Sequence, residues 1–501
     1  MPTSARDHRR AARACAVPVA AALVGSGLAL TAAAAPAQAD ANASCSLGQA
    51  EVTSSSAVRE DFTTLFNDYS DSGVGWTGGD STYSVELDDG RQVWVFSDTF
   101  LGPVNEDQSR PESTPFLNNS FVVQDGSELS TVHGGTEDEP ESLLPPSAEN
   151  HWYWVGDAMV DADGNLQVTA AQFETGGGGM WDFWWESNHL ATFDADTFEL
   201  LNVSELPSES GVQWSSWIEP AGEVTYVYGI EDAGENKYMH VARVSGPDLR
   251  GQWEYWTGHG WDTDETHSAR VMDGVANEYS VTAFHDGYLL LTQDTHENFS
   301  AEIKAYTSCF PNGPFEEVGT VYEMPEVGAA GSYGDPNIYA YNAHEHPQFR
   351  TGDSSLLSYN VNSFEPDDLY QDVSIYRPRF VQVDFTVTPA PEEGPTEAPT
   401  EEPTEEPTEE PTQQPTEEST EQPTDGQAPT DSAPAEGDVS APTRDPGEEP
   451  SSGAGPATGP PAGGSLADTG TSTGAMPLVA AALAVLAGVG LVALRRTLVR
   501  R

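Results

Sequence analysis

Basic residues, cysteines and helical patterning are all scarce in this chain. Lys and Arg together number 20 against 81 Asp and Glu, a formal net charge of −61. Between residues 40 and 388 sixty acidic residues face eleven basic ones, and Lys237 and Lys304 are the only lysines. A surface of that sign repels phosphate backbones, which excludes nucleic acid as a partner and disfavours any anionic polymer. A neutral substrate fits, as does a salty or acidic habitat in which the repulsion is screened. With three cysteines in all, a cysteine-based zinc centre is excluded. Cys15 falls in a leader, leaving Cys45 and Cys309 either as one disulfide or as two buried thiols. No EF-hand or tandem-repeat calcium motif is present, although calcium is the one structural ion that so many carboxylates would suit. No cofactor is expected.

The two ends are distinct from the middle. Residues 1–39 have the layout of a secretory signal peptide: Arg6, Arg9, Arg10 and Arg13, an apolar core from Ala16 to Ala35, then Ala37-Gln38-Ala39. Residues 389–465 are low in complexity, with Glu-Glu-Pro-Thr repeated every four residues from Glu401. Proline removes backbone donors and like charges repel, so this segment is expected to be a disordered, extended stalk. In residues 466–501, Leu466-Ala467-Asp468-Thr469-Gly470 precedes an apolar run from Ala475 to Leu494 and four arginines. A run of about 20 apolar residues can span a bilayer, and the basic end stays inside. The arrangement resembles a sortase sorting signal of Gram-positive actinobacteria. It implies cleavage between Thr469 and Gly470, covalent attachment of Thr469 to peptidoglycan, and only a transient membrane helix. A plain single-span anchor is the other reading.

The middle, 40–388, is the working domain. From Trp76 to Phe100 the alternation of Tyr83, Val85 and Leu87, then Val93 and Val95, predicts two antiparallel strands around Asp88-Asp89-Gly90. With Gly90 left-handed in a three-residue loop, Leu87 faces Arg91 and Asp80 falls opposite Asp98. Two carboxylates about 5 Å apart raise each other's pKa, which suits acid/base chemistry; the plainer alternative is that both cap strand ends. Four further hairpins follow, at 154–168, 213–228, 278–291 and 339–360. Strand-and-turn repeats of this size predict an all-β, five-bladed β-propeller, with a β-sandwich as runner-up. In a propeller the first strand of each blade lines the channel, so Asp80, Asp157, Trp214, Glu278 and His344 should converge, with Asp98 joining from a second strand. The Asp286-Gly287 turn also allows Asp294 to be counted opposite Glu278.

The motifs Gly-Gly-Asp80-Ser-Thr-Tyr and Trp-Val-Phe-Ser-Asp98-Thr-Phe-Leu-Gly resemble the opening of a group of actinobacterial five-bladed propellers. So do Asn118-Asn119-Ser120, Tyr359-Asn360-Val361-Asn362 and Tyr376-Arg377-Pro378-Arg379. The group, formerly of unknown function, includes endo-D-arabinanases, and the likeness covers residues 60–385. It implies hydrolysis by Asp80 and Asp98 of an arabinofuranose polymer or a related polysaccharide. Glycoside hydrolysis needs one protonated carboxyl and one carboxylate. Asp157 and Glu278 are the candidate additional carboxylates. Trp152, Trp154, Trp214 and Trp217 are candidates for stacking on sugar, with packing between blades the alternative for most of them, and Asn119, His344 and Asn360 are candidates for binding it. The expected function is a secreted, wall-anchored glycoside hydrolase; the alternative is a non-catalytic carbohydrate-binding adhesin.

Overall fold

The computed structural model describes residues 45–390, apart from 177–182 and 235. Five antiparallel sheets succeed one another along the chain. Blade one comprises Trp76–Glu86, Gln92–Leu101, Ser120–Asp125 and Glu128–Val132. Blade two comprises His151–Val160, Asn165–Thr175, Phe183–Asp194 and Leu200–Leu206. Blade three begins with Gln213–Ala221, Val224–Asp232 and Lys237–Ser245, continues in Trp253–Trp256 and ends on the short Trp261–Asp262. Blade four comprises Tyr279–Phe284, Gly287–Gln293, Glu302–Ser308 and Glu316–Glu323. Blade five comprises Ile338–Glu345, Ser354–Ser363 and Pro378–Thr388, with Glu51–Val58 as its outer strand. The expected five-bladed, all-β propeller is what the chain forms.

Ring closure is the part that local pattern does not announce. Glu51–Val58 pairs antiparallel with Pro378–Thr388, from Glu51↔Thr388 to Val58↔Val381. Just before it, Cys45 is disulfide-bonded to Cys309, across 264 positions of sequence. Just after it, an unforeseen helix, Glu60–Asp71, buries Phe62 and Phe66 against Trp94 and Phe380. Phe66 meets Trp94 edge-on at 5.1 Å between centroids, a favoured geometry for aromatic pairs.

Side chains tie neighbouring blades around the ring. Val155 N–H donates to Ser97 Oγ between blades one and two (3.0 Å). Ile218 N–H donates to Asp157 Oδ2 between blades two and three (2.8 Å). Ala283 N–H donates to Glu219 Oε1 between three and four (2.9 Å). Thr282 Oγ1 donates to Glu345 Oε2 between four and five (2.8 Å), and Ser84 Oγ meets His346 Nδ1 between five and one (2.6 Å). Each bond satisfies a buried polar group that would otherwise cost about 1–3 kcal/mol.

The leader, the sorting segment with Leu466, Thr469 and Gly470, and all but the first two residues of the stalk lie outside the described residues. Among the described residues no helix is long and apolar enough to cross a membrane.

Candidate active site

The first hairpin turns as its sequence requires. Leu87 N–H donates to Arg91 O (2.8 Å) and Gly90 N–H to Leu87 O (2.9 Å), with Gly90 at φ +89°. Pairing runs from Glu86↔Gln92 to Tyr83↔Val95 as counted from that turn, then breaks. Ser81 pairs with Phe96, which leaves Thr82 extra on the first strand; Gly79 pairs with Thr99, which sets Ser97 and Asp98 against Asp80. The two irregularities cancel, so Asp80 and Asp98 still meet, but on bulged backbone. Ser81 and Thr82 stand at φ +68° and +67°, a conformation costing about 1–2 kcal/mol for each non-glycine residue. Asn360 Nδ2 holds this kink by donating to Thr82 Oγ1 (2.9 Å), and His344 Nε2 lies 3.2 Å from Thr82 O. Bulges that re-aim a side chain are frequent beside active sites.

The two carboxyls are held in different electrostatic states. Burial lifts Asp80 to about 6, and the Tyr341 and Tyr376 hydroxyls restrain the rise. Both hydroxyls donate to Oδ2, at 2.6 and 2.8 Å. Oδ1 is buried without a hydrogen-bond partner. Burial, then the charge of Asp80, pushes Asp98 well above the usual carboxylate range. Trp154 Nε1 and Asn118 Nδ2 donate to Asp98 Oδ1 at 2.8 and 3.1 Å without offsetting that rise. Burial and mutual charge thus raise both acids, Asp98 the more strongly, and the two titrate as a pair.

Glu278 enters from blade four and accepts a hydrogen bond from Ser81 Oγ (2.8 Å). Burial chiefly, with the charges of Asp80 and Asp157, keeps it well above the usual range. Its Oε2 faces His344 Nδ1 at 3.6 Å. A carbonyl only accepts, so the His344 proton sits on Nε2 toward Thr82 O and a lone pair faces Glu278. Burial lowers His344 to about 4, so the ring is neutral and a protonated Glu278 suits it. His344 stacks on Tyr83 at 4.3 Å, and Tyr83 donates to Ser216 O of blade three (2.8 Å).

The other anticipated residues divide. Trp154 reaches the site through its indole N–H, while its ring packs with Trp152 and Phe173. Asp157 accepts from Ala158 N–H and Ile218 N–H and is pushed up to about 8 by burial; it is a tie between blades. Asn119 spends its amide on Leu144 and Tyr153 backbone, and its neighbour Asn118 is the one that touches Asp98. Trp214 turns away, fully buried against Tyr255, with its N–H on Glu265 (2.9 Å). The cause is a break in pairing between Gln213 and Trp217, which hands the place beside Tyr83 and His344 to Trp217. Asp294 does not oppose Glu278. Tyr279 pairs with Thr292, one position off the expected count, and Asp294 binds His296 and Lys304 instead. That one-residue shift reverses the face. Tyr341 and Tyr376 were not anticipated, because their partner lies 261 and 296 residues away.

A five-bladed propeller with buried carboxyl groups gathered from blades one and four is the class that fold and site define. Residues 62–392 match the family known as DUF5005, a domain of unknown function, and the chain belongs to that family. A Bacteroides ovatus protein, described provisionally as a hydrolase, shares the fold at TM-score 0.55 and 21% identity, over 66% of this chain and 90% of that one. More distant are an α-L-arabinofuranosidase from Podospora anserina (TM-score 0.38, 9% identity, 62% and 92% covered) and a family 117 glycoside hydrolase from Zobellia galactanivorans (0.36, 11%, 68% and 92%). These likenesses concern the fold alone. No curated protein matches the sequence.

Proposed function

We propose that the propeller is a glycoside hydrolase in which Asp98 protonates the leaving oxygen and Asp80 acts as the carboxylate. The observation that carries this reading is the pair itself: two carboxyls on one hairpin, one lifted by burial only to about 6 because tyrosine hydroxyls restrain it, and its neighbour pushed well above the usual range by burial and that charge. Such unequal carboxyls are what glycosidic cleavage needs. Glu278, protonated above His344, is a third group that adds no charge to the floor. The acidic domain fits a neutral glycan, and the resemblance of the opening hairpin to endo-D-arabinanases favours an arabinofuranose polymer. The leader, stalk and Leu466–Gly470 motif support a surface enzyme that sortase joins to peptidoglycan through Thr469.

A second reading, a non-catalytic carbohydrate-binding propeller, is favoured by one observation: Asp80 and Asp98 are each only 3% exposed. A sugar reaching them must displace side chains that now cover them. The deciding experiment incubates the secreted protein with arabinogalactan and with an aryl furanoside. Asp80→Asn should abolish turnover of both. Asp98→Asn should lose the polymer by about 10²–10⁴-fold yet retain the aryl substrate, whose leaving group needs no proton. Binding of polymer without products by the unaltered chain would sink the hydrolase and leave the binding reading.

A further inference from the structure

At the end of blade two that supplies Trp154, three ligating side chains converge outside the carboxyl pair. His151 and Glu174 are direct cross-strand partners and so share a face. On the third strand, Ser187 pairs with Gln172 and Trp185 with Phe173. Glu186 is therefore the extra residue of a bulge, and it turns toward the other two. One donor atom from each of His151, Glu174 and Glu186 lies within 4.8 Å of the others.

The histidine proton can be placed. His151 Nδ1 lies 3.0 Å from Glu149 O; a carbonyl can only accept, so Nδ1 carries hydrogen. Nε2 faces Glu186 Oε2 at 3.2 Å, as a donor when the ring is an imidazolium and as a lone pair open to a cation when it is neutral. A histidine whose far nitrogen is bound to a carbonyl is the usual orientation of a metal ligand. Gln172 Nε2 donates to the same Glu186 oxygen (3.2 Å) and orients it from behind. Among the described residues, neither Glu174 nor Glu186 forms an ion pair with Lys or Arg, and Glu186 has His151 as its charge partner.

We propose that His151, Glu174 and Glu186 form a binding site for a divalent transition-metal ion of the zinc class, distinct from the catalytic carboxyls. One imidazole with two carboxylates suits zinc and not calcium, which takes oxygen ligands only. Donors around zinc stand about 3.4 Å apart at bond lengths of about 2.1 Å; the partly exposed glutamates close the remaining distance by rotation. Three protein donors leave a fourth position facing solvent, open to water or a sugar hydroxyl. The ion would clamp three strands three residues from Trp154, whose indole holds Asp98.

The test titrates zinc into chelator-stripped full-length protein, with cobalt(II) absorption as a second probe. One ion should bind per chain, and His151→Gln and Glu186→Gln should each weaken binding at least tenfold and abolish the cobalt bands. Equal affinity in the unaltered chain and both variants would overturn the proposal, as would calcium binding as tightly as zinc. Melting temperatures in chelator should be unchanged by the substitutions. If either variant unfolds, Glu174→Gln, on the partly exposed second strand, replaces it in the comparison.

Discussion

Replacing Tyr341 by Phe removes one of the two hydroxyls that keep Asp80 anionic and leaves the ring in place. Tyr341 Oη donates to Asp80 Oδ2 at 2.6 Å, inside a site where burial has already lifted that carboxyl to about 6. A hydrogen bond to a charged group contributes about 1.5–3 kcal/mol, and part of it survives when the acceptor is neutral. The difference between the two protonation states is then about 1.4 kcal/mol, or about one pKa unit. The sign is unambiguous: losing a donor to the anion favours the protonated acid, so Asp80 moves up toward about 7. If the reaction needs Asp80 ionised, kcat/KM at pH 6 should fall about fivefold while kcat/KM at pH 8 barely changes. Tyr376→Phe should do the same, and the double variant should shift the acid limb by about two units. The assay is the pH profile on an aryl furanoside, with carbon-13 titration of the Asp80 carboxyl as a substrate-free check. An acid limb that stays in place in both variants would refute the assignment. A loss equal at all pH values would mean that the tyrosines only position the residue.

Two further outcomes follow from the buried acids. Asp157→Ala leaves the Ile218 and Ala158 N–H groups without their acceptor, which should cost about 2–4 kcal/mol; urea unfolding checks this, and a loss below about 1 kcal/mol would show that water replaces the carboxyl. Asp80, Asp157 and Glu219 are raised by burial to about 6, 8 and 7, so the folded state holds protons that the unfolded chain releases near pH 4. Stability should therefore fall as pH rises from about 4 to about 8, with a melting temperature at least about 5 °C higher at pH 5.5 than at pH 8; an unchanged or higher value at pH 8 would mean that these three acids are already ionised in the folded protein.

Much of the ring was legible because each blade opens with a hairpin whose turn is written locally. The loops at Asp88–Gly90, Asp163–Gly164 and Gly352–Asp353 fall between strands where the alternation places them. The meeting of Asp80 with Asp98 was countable only because two bulges cancel. Where a single irregularity stands alone, counting failed, as at Trp214 and Trp217. At Asp294 the turn is shorter than assumed: Phe284 pairs directly with Gly287. Tyr341, Tyr376 and Trp217 owe their places to contacts between blades, which no local period encodes. The same holds for Glu51–Val58, a polar, largely exposed strand whose partner lies at the far end of the domain.

That closing strand makes completion of the propeller depend on both ends of the domain. The first strand of the ring to leave the ribosome, Glu51–Val58, stays unpaired until the last, Pro378–Thr388, has been made. The arm that precedes it finds its cysteine partner only after most of blade four has been made. A chain interrupted before residue 378 leaves Glu51–Val58 without its partner strand, and unpaired edges invite aggregation. Only a full-length molecule gains both the latch and the tyrosines of the last blade that set Asp80, so structural completion and chemical competence arrive together.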